Sequence, residues 1–402
     1  MRTIAVIGKS FGDEGKGLAV DYFSSRAQKP AMVVRHNGGA QSGHTVETRE
    51  NGGQRFVFHA LSSGSFRGAD TLWINGFYPD LYKLGDEIAG FRTGFGAAPR
   101  IFAEDSVCVT TVDDVLINMA LETSRGPQRH GSCGMGINEC DLRTKAGFGL
   151  SLKAMRQSGS GVFPLLRRLR ESYTYRRLRE LKPFLNEDAA EYLRLLYDDN
   201  VLLNAADAME EGLKNVTLLS EKALKNLLNG TETLIFESGQ GLLLDCMNKE
   251  YAPHVTASRT GSHNPLAFLS RMGAELDEAV YVSRTYVTRH GAGKLFGECP
   301  KENLGGIGRD LTNEPNEWQG QLRYAPHEDE AAFAEAVRND GSETNAKISL
   351  FLTHLNETKN SVVMANRIVP ADEFIKHPII RDTFDSFYLS PSRFSADVKK
   401  IS

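Results

Sequence analysis

The segment Gly12-Asp13-Glu14-Gly15-Lys16-Gly17 places three glycines, two acids and a lysine within six residues. Glycines let successive backbone N–H groups turn toward an anion, and a lysine beside such a loop reaches a phosphate oxygen. The loop therefore reads as a phosphate cradle. It is not a Walker A loop, because Ser10 stands where the first glycine is needed and Gly17 follows the lysine in place of Ser or Thr. Asp13 and Glu14 set it further apart. A carboxylate inside a phosphate cradle repels the ligand unless it binds a metal ion or takes a proton from a substrate. The spacing points to chemistry as well as binding.

A second polar loop, His36-Asn37-Gly38-Gly39-Ala40-Gln41-Ser42-Gly43-His44-Thr45, again combines glycines with a histidine near its end. Histidine gives or takes one proton near neutral pH. A lone buried histidine is more often structural, but beside a phosphate loop on an adjacent strand His44 reads as catalytic.

Both loops need strands to hold them. The runs Thr3–Gly8, Ala31–Arg35, Thr71–Ile74, Thr233–Glu237, Ala279–Val287 and Ile348–Leu352 are mostly apolar throughout instead of alternating. Such runs suit central strands covered on both faces. Helical spacing at Pro79–Phe91, Val112–Ser124 and Glu328–Arg338 completes an α/β pattern with a largely parallel central sheet and flanking helices. The turn Asn51-Gly52-Gly53, between Val46–Arg49 and Arg55–Ala60, predicts a decorating β-hairpin. From roughly Ser151 to Asn229 the chain turns to Leu, Arg, Glu and Ala at helical spacing with no clear strand, which reads as a helical insertion within one domain spanning residues 1–402. Its arginines, among them Arg167, Arg168, Arg170, Arg176, Arg177 and Arg179, have Glu171, Glu180, Asp188 and Glu191 close by. They read as a solvated helix face or subunit contact, not a nucleic-acid stripe. Lys301–Asn316, rich in Gly, Asn and Glu, is expected to be a long loop.

Composition bounds the partners. The 402 residues, 41% hydrophobic and 24% charged, suffice for a large core, and a formal charge of −4 gives no general attraction for nucleic acid or anionic membrane. Any phosphate site is therefore local, and small phosphorylated ligands fit better than polymers. The apolar start Ile4–Ile7 is too short for a signal-peptide core and no run approaches a membrane span, so a cytoplasmic location is expected. Five cysteines without a C-x-x-C pair read as reduced thiols.

Five segments also carry a family resemblance. Gly12-Asp13-Glu14-Gly15-Lys16-Gly17 with Val20-Asp21, and then Gly38-Gly39 with Gly43-His44-Thr45, resemble adenylosuccinate synthetase. Phe236-Glu237-Ser238-Gly239-Gln240-Gly241 with Asp245 is similar to its F-E-G-A-Q-G-x-x-L-D, Pro253-His254-Val255-Thr256-Ala257-Ser258 to its P-Y-V-T-S-S, and Thr288-Arg289-His290-Gly291-Ala292-Gly293 to its T-R-V-G-A-G. The segments follow one another in family order. The resemblance implies a ligase that joins L-aspartate to IMP at the expense of GTP, with Mg²⁺, acting as a homodimer. It implies that Asp13 takes the N1 proton of the purine and that His44 donates to the transferring phosphoryl group. By the same resemblance Gly12, Glu14, Gly15, Lys16, Gly17, Thr45 and Asn356 hold the nucleoside triphosphate. Gln41, Ser132, Gln240 and Thr256 hold the purine nucleoside monophosphate, Gly320 and Arg323 the amino acid, and Asp13 with the Gly43 carbonyl the metal.

The departures fall in the binding loops. The family's T-T-G-R-G-I-G-P reads here Ser132-Cys133-Gly134-Met135-Gly136-Ile137-Asn138-Glu139, so an arginine has become Met135. The arginine that the family sends across its dimer interface has only Arg143 and Lys145 as near candidates. In the aspartate loop, Trp318 to His327, only Gly320 and Arg323 match, with Gln321 at a second arginine position. Two arginines form the natural clamp for a dicarboxylate, so another amine donor stays open. The guanine-reading T-K-L-D is Thr353-His354-Leu355-Asn356, and an amide there discriminates less between guanine and adenine. ATP is therefore an alternative donor. The final S-x-G-P is blurred at Leu389-Ser390-Pro391-Ser392-Arg393. A viral branch of the family acts on dGMP with serine in place of the loop aspartate; this chain keeps Asp13, which favours a hypoxanthine-like base. A dGMP-type substrate remains one alternative, and a non-catalytic nucleotide-binding regulatory homologue is another.

Overall fold

The computed structural model describes residues 1–402 except 50–52, 309–312, 314–317 and 402. Ten strands build the central sheet: β1 (Arg2–Gly8), β2 (Met32–Arg35), β3 (Asp70–Trp73), β4 (Ile101–Glu104), β5 (Val216–Leu219), β6 (Thr233–Gly241), β7 (Glu278–Arg284), β8 (Lys347–Thr353), β9 (Ser386–Leu389) and β10 (Lys399–Ile401). Their order across the sheet is β10-β9-β8-β7-β1-β6-β2-β3-β4-β5. Every pairing is parallel except β9 with β10. The middle strands are buried along almost their whole length, as continuous apolar runs require when helices cover both faces.

The first strand lies at the centre, between β6 and β7, with Gly8 level with Gly241 and Val282. The glycine loop therefore leaves the sheet at its middle, on the C-terminal edge, where ligands of open α/β sheets bind. It leads into α1 (Lys16–Ser25), whose N-cap is Gly15 and whose first turn has no side-chain cap, so its leading N–H groups stay open to an anion. The predicted hairpin forms from His44–Thr48 and Gln54–Phe58, pairing His44 with Phe58 and Thr48 with Gln54. Asn51 and Gly52 of its turn lie outside the described residues. Helices α2 (Leu81–Phe95), α3 (Val112–Arg125) and α4 (Ile137–Arg143) follow. A capping box closes the start of α3: the Thr111 side chain accepts from Asp114 N, and the Asp114 carboxylate accepts from Thr111 N.

The stretch predicted as purely helical is helical over most of its length but contains β5, which extends the sheet edge beside β4. Four residues after a sixteen-residue helix, Asp199–Lys214, are too few to break a helical pattern in sequence. The helical segments pack into the same apolar cluster as the hairpin and α2: Leu152, Leu166 and Leu202 join Phe58, Leu84 and Phe91. The insertion's arginines are mixed in role, with Arg170 buried against Asp113 at 2.7 Å and Arg167 and Arg176 in exposed pairs with Glu171 and Glu180. Of the expected loop Lys301–Asn316, a short 3-10 turn occupies Lys301–Leu304, and 309–312 with 314–316 lie outside the described residues. All five cysteines are free, and no helix among the described residues is long and apolar enough to cross a membrane.

Candidate active site

A cleft of about 1400 Å³ opens along the C-terminal edge of the central strands. The glycine loop forms its floor. Gly12 and Gly15 take φ of 105° and 87°, and Asp13 itself sits at φ 60°, a left-handed conformation that costs a non-glycine residue energy. Arg284 Nε holds the strained turn by donating to the Asp13 carbonyl at 2.6 Å. The Asp13 carboxylate lines the cleft, with His290 Nε2 3.5 Å from Oδ2.

Glu14 does the opposite. Its side chain turns under the loop, where Oε1 accepts from Ser10 N at 3.0 Å and Gly12 N at 2.8 Å, and Oε2 pairs with Lys16 Nζ at 3.0 Å. Burial alone would raise its pKa, but the Lys16 charge and the amides outweigh burial and hold it below the usual carboxylate range. Glu14 thus shapes the loop from beneath and does not line the cleft, whereas Gly12, Asp13, Gly15, Lys16 and Gly17 do.

The second loop reaches the first because Gly17 lets it. A Cβ there would stand 2.9 Å from Thr45 O and 3.3 Å from His44 Cβ, so only glycine allows the His44 turn to lie against α1. His44 Nδ1 donates to Glu237 Oε1 at 2.6 Å, which fixes the ring and leaves Nε2 buried without a partner. Glu237 ends the apolar part of β6, in register with Arg35 at the end of β2. It also accepts from Ser63 N at 3.2 Å and from Ser63 Oγ, and faces Arg35 Nη1 at 3.6 Å. Burial pushes its carboxyl up, but His44 and Arg35 outweigh burial and bring it down to about 2, so it is ionised throughout the neutral range. Burial also pushes the His44 imidazole down; Glu237 opposes this, while Arg35 and Lys16 add to it. A lone carboxylate thus backs a neutral imidazole that presents a free nitrogen.

Gln41, Gly43, Thr45, Ser132, Gln240, Thr256 and Asn356 all line the same cleft. Thr45 Oγ1, Gln41 Oε1 and Gln240 Oε1 are buried without a hydrogen-bond partner, polar atoms that a bound ligand would satisfy. Ser132 Oγ donates to Asn118 Oδ1 at 2.8 Å, and the Gly131 and Ser132 amides face Glu122. Gly320 and Arg323 do not line the cleft. Arg323 is engaged instead with Glu298 and with the Gly291 and Gly293 carbonyls at 2.9 and 2.8 Å. Arg143 is equally committed inside its own chain, 1% exposed and bonded through Nε and Nη2 to Asp114, while Lys145 pairs with Asp141.

Sequence reasoning assigned no role to Arg35, Ser63, Glu237 or His290. The first and third had a signal: a charged residue closing an apolar strand is buried at a sheet's C-terminal edge. Their pairing across β2 and β6 joins residues about two hundred positions apart and needed the fold. Arg289, in a quoted motif but unassigned, packs over Phe11 at 4.4 Å with Nε buried and unpartnered, and burial lowers its pKa to about 10.

Residues 5–349 match the model of the adenylosuccinate synthetase family. The chain belongs to that family. Its members are ligases that form a carbon–nitrogen bond and serve purine biosynthesis. Among curated relatives, the chain is 28% identical over 363 residues to the adenylosuccinate synthetase of Bdellovibrio bacteriovorus, covering 87% of this chain and 77% of that one. It is 30% identical over 323 residues to that of Gloeobacter violaceus, covering 77% and 66%. Among solved structures, fully ligated adenylosuccinate synthetase from Plasmodium falciparum superposes with a TM-score of 0.68 at 17% identity over 99% of both chains. Cyanophage S-2L succinoaminodeoxyadenylate synthetase, bound to dGMP with dATP as an energy donor, gives 0.61 at 14% identity over 99% and 95%. At these identities the two structures speak to the fold, and the sequence matches speak to the family.

Proposed function

We propose that this chain joins L-aspartate to the purine ring of IMP or a close analogue through a 6-phosphoryl intermediate, with GTP or ATP as phosphoryl donor. One observation carries the reading: Asp13, with no hydrogen bond to its carboxylate among the described residues, and His44, with a carboxylate-backed ring and a free Nε2, face one cleft beside the Lys16 cradle. Asp13 takes the proton from purine N1, and O6 attacks the γ-phosphorus as the bond to the β-phosphate oxygen breaks. As the phosphates enter, His44 takes up a proton at Nε2, the new charge balanced by Glu237, and donates from there to the transferring oxygens, while Lys16 and the loop amides hold the β- and γ-phosphates. The amine of aspartate then attacks C6, and phosphate leaves with O6. Gln41, Ser132, Gln240 and Thr256 orient the monophosphate; Thr45 and Asn356 act on the triphosphate.

Mg²⁺ suits this donor set. Among the described residues no group of three or more His, Cys, Asp or Glu forms a cage, and Mg²⁺ characteristically uses one or two carboxylates together with substrate phosphates. Asp13 and the Gly43 carbonyl would hold it, and when bound it neutralises phosphate charge.

The engagement of Arg323 with Glu298 favours a second reading, in which a different amine replaces aspartate. Phosphate release with IMP, L-aspartate and either triphosphate, with mass spectrometry of the product, tests both. Adenylosuccinate supports the first reading, another amine's adduct the second. Bound triphosphate without any product from an amine panel would leave a binding-only homologue. Asp13→Ala is expected to abolish turnover while triphosphate still binds.

A further inference from the structure

On the other side of the phosphate loop lies a groove of about 610 Å³ that shares Phe11 with the cleft as a common wall. Lys9 lines it, although the residue is only 5% exposed. Its ammonium has a single hydrogen bond, to the Phe333 carbonyl at 3.4 Å, and lies over the Phe333 ring at 4.1 Å. Among the described residues no carboxylate pairs with it. Glu14, whose field it feels, is already committed to Lys16 and two amides. A buried charge without a counter-ion is costly and is ordinarily paired. Consistent with this, burial lowers the Lys9 pKa to about 8. His327, the neighbouring base, is buried and bonded to the Arg284 carbonyl, so it supplies no negative charge.

Apolar side chains form part of the groove wall: Leu242, Leu243, Leu295 and Pro326 line it with Phe333, and Phe296 stands 47% exposed at its edge. The rim limits the ligand's charge. Asp245 and Glu343 are taken up by Arg259, Glu250 by Lys294 and Asp340 by Ser262 N and the Tyr281 hydroxyl, while Glu328 and Glu335 remain to repel a multiply charged anion. A volume of this size suits a small molecule.

We propose that this groove binds a small monocarboxylate with an apolar body, its carboxylate paired with Lys9 and its apolar part lying along Leu242, Leu243 and Phe333. This site is separate from the nucleotide cleft and does not depend on the ligase reading.

The test titrates 3-phenylpropionate, its neutral amide 3-phenylpropionamide and L-phenylalanine into the full-length protein by calorimetry. The acid is expected to bind, the amide at least tenfold more weakly. Lys9→Met should weaken the acid by at least tenfold, and Ala336→Trp, which fills the groove, should abolish binding, with circular dichroism checking that both variants are folded. Tighter binding of L-phenylalanine than of the acid supports the site and assigns an amino acid as the source of the carboxylate, read through the rim acids. No binding of either carboxylate, or equal affinity for acid and amide, overturns the proposal without reliance on any variant. Product formation by the nucleotide cleft is untouched by either outcome.

Discussion

Glu237→Gln tests the buried cluster behind His44. The substitution keeps the shape and removes the charge. In the native protein this fully buried carboxylate accepts from His44 Nδ1, Ser63 N and Ser63 Oγ and faces Arg35 Nη1 at 3.6 Å. Holding its carboxyl at about 2 instead of 4.5 corresponds to about 3 kcal/mol, at about 1.36 kcal/mol per pH unit. Because the folded value is the lower one, this contribution is fully present above pH 4.5 and is lost as pH falls through 2. A second route gives the same size: removing one partner of a buried ion pair costs about 3–5 kcal/mol. The glutamine amide also turns a donor toward groups that are themselves donors. Urea unfolding at pH 7.5 should therefore show a loss of about 3 kcal/mol, and turnover should fall by about 10²–10⁴, the range for losing a positioned acid–base group. Adding Arg35→Gln should recover part of the stability, since it removes the charge left alone, but not the turnover. A single variant within about 0.5 kcal/mol of the native protein, a margin typical of inert surface changes, would refute the role of Glu237 as counter-charge.

Three further outcomes follow from the same geometry. Burial lowers His36 and His327 to about 3 from 6.5, so both fold neutral; their contribution is full above pH 6.5 and drains away toward pH 3, the loss at pH 4.5 coming to about 5 kcal/mol for the two together. Urea unfolding should then show a loss of about 5 kcal/mol between pH 7.5 and 4.5, and an unchanged stability would contradict it. Asn356→Asp should raise the GTP-to-ATP ratio of kcat/KM by about tenfold or more, because a carboxylate accepts from guanine's two donors and repels adenine N1; an unchanged ratio would remove residue 356 from base reading. Gly8→Ala puts a Cβ 2.4 Å from Glu14 Oε2, which should cost about 1–3 kcal/mol of stability and weaken triphosphate binding measured by calorimetry, whereas native affinity would show that the carboxylate beneath the loop does not shape it.

The long central strands were legible because burial on both faces leaves uninterrupted apolar runs. Thr3–Gly8 and Ile348–Leu352 read in sequence are Arg2–Gly8 and Lys347–Thr353 in the fold. The two outermost strands on each side of the sheet were not: Ile101–Glu104, Val216–Leu219, Ser386–Leu389 and Lys399–Ile401 are three or four residues long and each carries a Glu, Thr, Ser or Lys that breaks the apolar run. Ala279–Val287 divides because the chain leaves the sheet at Arg284 and begins a separate strand at Val287, paired with Arg323–Ala325. The two glycine loops were legible because local geometry demands those residues in those places. The orientation of Glu14 was not, since a carboxylate under a loop and one facing a ligand look alike in sequence. The engagement of Arg323 depends on Glu298, and the His44 dyad on Glu237, both fixed only by long-range packing.

The most direct measurement follows the oxygen. IMP carrying ¹⁸O at position 6 is incubated with L-aspartate, Mg²⁺ and GTP or ATP, and the inorganic phosphate released is examined by mass spectrometry. Transfer through a 6-phosphoryl purine predicts one ¹⁸O in each phosphate formed, with adenylosuccinate as the co-product. Adenylosuccinate accompanied by unlabelled phosphate would contradict the roles given to Asp13 and His44.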